Sequence, residues 1–142
     1  MTEALFTLIN LLPMPVWLGM LLFPRRRFTE RLVMAYWPFM ALGGVYALLL
    51  LGAFASGAVG VDLSFAALRQ AISMEWAFLA VWAHIVTFNL FVGVWIFRDA
   101  KYWGISPPIY LLVTLFFGPV GLLAYLVTRE RRAKTDPVKL FN

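Results

Sequence analysis

The chain of 142 residues has no cysteine, one histidine and seven acidic residues, and each scarcity excludes something. Without cysteine there is no disulfide, no thiolate nucleophile and no cysteine-held metal, and the redox compartment leaves no trace. A lone imidazole and seven scattered carboxylates offer too little for a metal site, and none is expected. Charged residues make up 13% of the chain, against about 25% in soluble domains. Hydrophobic residues make up 63% and mean hydropathy is +0.84, values that exclude an ordinary soluble domain. A net charge of +5 would suit nucleic acid in a soluble protein. Here the basic residues flank apolar runs, where they meet lipid headgroups and set topology, so nucleic acid is not an expected partner.

What is present in quantity is apolar sequence of bilayer length. Four runs stand out: Ala4 to Phe23, Leu32 to Ala55, Trp76 to Phe97 and Pro108 to Val127, each near the 20 or so residues a helix needs to cross a membrane. They predict an all-α polytopic membrane protein. Its four transmembrane helices form a bundle over residues 1–128, with a basic, frayed tail over 129–142. The first run is expected to stay as a span and not to be removed as a signal peptide, since Met1, Thr2 and Glu3 offer no basic region and no small-x-small cleavage site follows. Pro24 and the arginines at 25, 26 and 27 close it. Between the second and third runs lies a short amphipathic segment in which Asp62 is placed to cap a helix, with Leu63, Ala66, Ala67 and Ile72 on its apolar face. Pro107 and Pro108 open the fourth run.

Orientation is undecided by counting. With four crossings, one side holds Arg25, Arg26, Arg27, Arg31, Arg98 and Lys101, and the other holds Arg69, Arg129, Arg131, Arg132, Lys134 and Lys139. The tie permits dual insertion and an antiparallel homodimer. If the first helix dominates, the arginine triplet is cytoplasmic and both termini lie outside.

The candidate chemistry centres on the third run. His84 is an ionisable group inside an apolar segment whose other polar side chains are Thr87 and Asn89, and such groups mark functional sites by default. Two roles are open to it: a donor that fixes helix packing, or an imidazole that protonates, polarises or ligates a bound molecule. In helical projection Phe88, Phe91 and Trp95 share its face while Asn89 lies about 140° away. Asp99, which has Arg98 and Lys101 as neighbours to pair with, is 15 residues and about 22 Å along the helix from His84, too far for a dyad. Glu75 complements the dipole at the helix start. Trp82 and Trp95, away from the interfacial belt formed by Trp76, Tyr102, Trp103 and Tyr110, are flat walls for an apolar ligand.

Two interruptions add backbone polarity at depth. Pro119, between Gly118 and Gly121, predicts a kink in the fourth helix. Pro13 and Pro15, beside Asn10 and Trp17, predict another in the first. Paired irregularities of this kind point to binding sites in membrane proteins, although helix packing also explains them.

The sequence Trp82-Ala-His84, Asn89-Leu-Phe-Val-Gly93, Trp95-Ile-Phe-Arg-Asp99 and Phe116-Phe-Gly-Pro-Val-Gly-Leu-Leu123 resembles the small four-helix membrane family named for abscisic acid deficiency, whose plant members act in neoxanthin formation. Pro15, Trp17 and the proline-arginine junction after them extend the likeness to nearly the whole chain, here as a bacterial-type member. The resemblance implies isomerisation of an epoxy-carotenoid to an allene, without redox cofactor and with acid and base assistance. It places His84 on the family histidine and Asp99 on the acid that closes the motif. Asn89 and Val94 stand where the family often carries aspartate and arginine, so Asn89 cannot act as a general base.

The expected function is therefore binding or isomerisation of a carotenoid or related isoprenoid lipid in an interhelical cleft of a bacterial cytoplasmic membrane protein. His84 and Asp99 are the catalytic candidates. Trp82, Phe88, Asn89, Phe91, Trp95, Asn10, Trp17, Gly118, Pro119 and Gly121 are the ligand-binding ones. A pigment-binding or assembly subunit of a larger membrane complex is the alternative, with a tetrapyrrole held by His84 and room for it at Ala80. A small transporter is a third class, opposed by the absence of embedded acids and bases in the first, second and fourth runs.

Overall fold

The computed structural model describes residues 1–57, 62 and 64–135, and within them the protein is all-helical, with no strand. Eight helices follow one another: α1 (Thr2–Leu11), α2 (Met14–Leu22), α3 (Arg27–Met34), α4 (Trp37–Ala55), α5 (Phe65–Ile72), α6 (Glu75–Trp103), α7 (Pro108–Phe117) and α8 (Pro119–Thr135). Three stretches are long and apolar enough to cross a membrane: Thr2–Leu22, Arg27–Ala55 and Glu75–Trp103.

Proline sets the local breaks. Pro13 has no N–H to donate, and α1 gives way to α2 around it, the irregularity expected from the sequence. The second run, expected as one helix from Leu32, is instead α3 and α4 with a break at Ala35 and Tyr36. Pro38 lies in the first turn of α4, where its missing donor costs nothing, and so it starts a new helix more readily than it continues an old one. Pro24, Arg25 and Arg26 turn the chain after α2, as expected, and only Arg27 departs from the expectation by opening α3. Thr29, fully buried, turns its hydroxyl to the carbonyl of Phe23 at 2.7 Å, with that of Gly19 at 3.2 Å, and so satisfies the orphan acceptors at the end of α2.

Asp62 is not the cap of α5. Ser64 is, accepting the Ala67 N–H at 3.3 Å, while Asp62 holds the cap in place by accepting both the Ser64 N–H at 2.8 Å and its hydroxyl at 3.1 Å. A serine next to the first helical residue reaches the third amide of the first turn, which a residue two positions earlier cannot. Leu63 and Lys139 lie outside the described residues. Over the described residues 129–135 the expected fraying is absent, since α8 runs on to Thr135, and the rest of the tail lies outside the described residues.

The third run also outlasts its sequence boundary. α6 continues from Phe97 through Arg98, Asp99 and Lys101 to Trp103, 29 residues in all or about 43 Å. Its charges do not end the helix because cations and anions of other helices meet them: Lys101 Nζ lies 3.0 Å from Glu30 Oε1 and Asp99 Oδ2 lies 2.7 Å from Arg129 Nε.

The largest correction concerns the fourth run, which is not one kinked helix over 108–127. The Tyr110 hydroxyl donates to Thr128 Oγ1 at 2.9 Å, and the Tyr110 and Tyr125 rings are 5.5 Å apart. In a continuous helix residues 110 and 128 would be about 27 Å apart, so α7 and α8 fold back on each other as a helical hairpin. Gly118 makes the turn at φ +42°, ψ −99°, a conformation that side chains resist. Pro119 is then the first residue of α8, where proline is at home. It clashes with no preceding carbonyl, as a mid-helix proline would. Gly121 closes the seam: a Cβ there would overlap the hydroxyl and backbone of Thr114.

The chain divides into two compact units, residues 1–14 with 35–88, and residues 15–34 with 89–142. Each takes one part of α6. In the first, Ala53, Ala71 and Ala77 form a small core with Trp76 against it. In the second, Trp17 is buried with its indole flat on α6 at Gly93, where a Cβ would penetrate the ring.

Candidate functional site

Within the first unit, His84 is exposed on α6. Its imidazole stacks on Phe88, one turn on, at 4.6 Å between ring centres, and tilts against Tyr46 of α4 at 5.7 Å. Ala80, expected to leave room beside the imidazole, is buried at 3% exposure, so the helix turns that small residue into its packing face. Trp82 is clamped: its Nε1 donates to Asn10 Oδ1 at 3.2 Å, and Phe6 and Phe78 flank its ring at 5.5 and 6.4 Å. Asn10 in turn donates its amide to the Phe6 carbonyl at 2.7 Å. The contacts of Asn10 and Trp82 thus tie α1 to α6.

Within the second unit, a groove of about 450 Å³ runs along α6 and is lined by Phe91, Val94, Trp95, Arg98 and Asp99. The spacing of these residues is that of one helix face, so a single stripe supplies the whole lining. Its wall is apolar at Phe91, Val94 and Trp95, and its end is charged at Arg98 and Asp99. Three residues expected from the sequence, Phe91, Trp95 and Asp99, meet here.

The Asp99 side chain is 17% exposed. Its Oδ2 accepts the Tyr125 hydroxyl at 2.5 Å and the Arg129 Nε–H at 2.7 Å. It pairs with neither Arg98 nor Lys101, because successive residues on a helix point apart, whereas α8 places Tyr125 and Arg129 one turn from each other on the face toward Asp99. Tyr125 is fully buried and stands edge-on to Trp95 at 5.7 Å. The Arg129 guanidinium also lies over the Trp103 ring at 5.0 Å. Trp103, expected in an interfacial belt, is 4% exposed. An acid, a phenol and a guanidinium in direct contact at the end of an apolar groove form a short hydrogen-bonded relay able to hold or pass a proton.

Tyr125 and Arg129 escaped the sequence reading, one counted among aromatics and the other among tail charges. Their four-residue spacing was the available signal. Other expected residues serve elsewhere in the second unit. The Asn89 carboxamide abuts the hairpin turn, since a Cβ on Gly118 would meet its Oδ1 at 2.6 Å. Trp17 packs on Gly93, Gly121 seals α7 to α8, and Pro119 is exposed beside the turn. Phe88 is 57% exposed beside His84. His84 belongs to the first unit and Asp99 to the second. Among the described residues no cluster of metal-ligating side chains occurs.

A family model described as ABA DEFICIENT 4-like matches residues 4–125. No curated protein and no solved structure matches the chain.

Proposed function

The chain belongs to the ABA DEFICIENT 4-like family, and from that premise we propose that it binds and isomerises a carotenoid or related isoprenoid lipid in a bacterial cytoplasmic membrane. The observation that carries the reading is the α6 groove. Its apolar wall suits a polyene, and its charged end at Arg98 and Asp99, the latter held by Tyr125 and Arg129, suits an oxygenated end group.

The relay matches the needs of an epoxide-to-allene isomerisation. Asp99 takes the proton from a polyene carbon, the released electron pair becomes the new double bond as the carbon–oxygen bond breaks, and Asp99 hands the proton to the freed oxygen. The buried Tyr125 hydroxyl, donating to Asp99 Oδ2, fixes the carboxylate for both transfers. Atoms and electrons balance without a redox cofactor. Arg129 donates its Nε–H to the carboxylate and holds it in place. His84 has a packing role in this scheme, and a tetrapyrrole on its imidazole finds less support because Ala80 is buried.

The test is expression in a carotenoid-producing bacterium followed by purification in mild detergent. The wild-type protein should carry an absorbing polyene, Trp95→Ala should lose it, and Asp99→Asn should keep pigment without converting an added epoxy-carotenoid. A colourless wild-type protein that converts nothing would overturn the proposal.

A further inference from the structure

The hairpin changes the count of membrane crossings, and with it the distribution of charge. With three crossing stretches and an α7–α8 pair that enters and returns, the ends of α2, α6 and α8 share one side. Among the described residues, every lysine and arginine except Arg69 belongs to the second unit: the triplet at 25–27 with Arg31, the pair Arg98 and Lys101, and Arg129, Arg131, Arg132 and Lys134 on α8. Direct contacts gather these three segments. Lys101 reaches Glu30 at 3.0 Å and Arg129 reaches Asp99 at 2.7 Å. Two charges of the cluster are neutralised in this way, while Arg25, Arg26, Arg31, Arg131 and Arg132 are exposed.

We propose that this basic side is a docking surface for anionic phospholipid headgroups of the cytoplasmic leaflet, reached because α7 and α8 form a re-entrant hairpin and not a fourth crossing. The even split of charges expected for four crossings disappears. Among the described residues nearly all the positive charge falls on one side, and a bias of that size fixes a single orientation, with the arginine triplet and the end of α8 inside and Ser73 outside. Each guanidinium near the anionic surface adds attraction that falls off over about 10 Å in ordinary salt. The Gly118 carbonyl at the turn is tolerable at depth because it accepts the Gly121 N–H at 3.1 Å and the Leu122 N–H at 3.3 Å, and Gly118 itself is buried. The inference stands apart from carotenoid binding, which concerns only the groove.

The absence of cysteine makes the test clean. Single-cysteine variants at the exposed positions Ser73, Ser106 and Thr135 are treated with a membrane-impermeant maleimide in intact cells and again after permeabilisation. Ser73→Cys should label in intact cells, and Ser106→Cys and Thr135→Cys only after permeabilisation. Labelling of Thr135→Cys together with Ser73→Cys would mean four crossings and would overturn the proposal, as would labelling of all three in intact cells. In a second arm, protein extracted in mild detergent is examined by native mass spectrometry for retained phosphatidylglycerol. Replacing Arg25, Arg26, Arg131 and Arg132 with glutamine should remove most of it, and unchanged retention would overturn the lipid-docking part.

Discussion

The two compact units share one helix but are held together by different means. In the unit of residues 1–14 and 35–88, the cross-helix contacts are mainly rings and small side chains, with one neutral hydrogen bond from Trp82 to Asn10: Trp82 between Phe6 and Phe78, His84 against Tyr46, and alanines around Trp76. In the unit of residues 15–34 and 89–142 they are directional and charged: Asp99 with Tyr125 and Arg129, Lys101 with Glu30, Tyr110 with Thr128. The ionisable residue most conspicuous in the sequence, His84, thus sits in the unit built by shape, and the groups able to move a proton sit in the unit built by polar bonds. An isolated polar side chain in an apolar segment is a weaker guide to chemistry than an acid whose partners come from another helix.

Removing the charged centre should produce the largest effect. Asp99→Ala leaves Arg129 without its anion and Tyr125 without its acceptor, and should cost about 3 kcal/mol. Thermal unfolding in detergent reads this, and a shift no larger than for a surface variant would break the contrast between the units. Gly118→Ala comes next, at about 2 kcal/mol, from the strain of a side chain at φ +42° together with the clash against Asn89. The same melting experiment decides it, and a neutral result would mean that the turn relaxes without cost. Tyr110→Phe removes one hydrogen bond between the hairpin arms and should cost about 1 kcal/mol. A double-mutant cycle with Thr128→Val should then show coupling between the two sites. His84→Phe keeps a ring against Tyr46 and Phe88 and should stay within about 0.5 kcal/mol of wild type. It should also leave pigment content unchanged, and loss of pigment in that variant would move the site back to the first unit.

Much of the architecture was legible because bilayer length is a one-dimensional property. The apolar runs, the break at Pro13 and the proline start of α7 follow from composition and from the missing proline donor, whereas the break before Pro38 was not foreseen. What was not legible depended on partners distant in sequence. Arg98, Asp99 and Lys101 read as a helix end until Glu30, Tyr125 and Arg129 supply their counter-groups. Twenty apolar residues from Pro108 do not reveal whether the chain crosses or turns back, since the turn at Gly118 needs Gly121 to accept Thr114 at contact distance. For the site, Phe91, Trp95 and Asp99 were readable from their spacing on one helix. Tyr125 and Arg129 were hidden because α8 was taken for the end of a span and the start of a tail.

The length of α6 has a consequence for how a ligand would be supplied. About 43 Å of helix exceeds a hydrocarbon layer of about 30 Å, so the last charged turns stand among headgroups while Phe91 lies in the oily interior. A molecule filling the groove from Phe91 to Asp99 would arrive sideways out of the bilayer, never through water. The concentration that governs occupancy is then a mole fraction in the lipid phase: diluting proteoliposomes with buffer should leave saturation unchanged, and adding empty lipid should lower it.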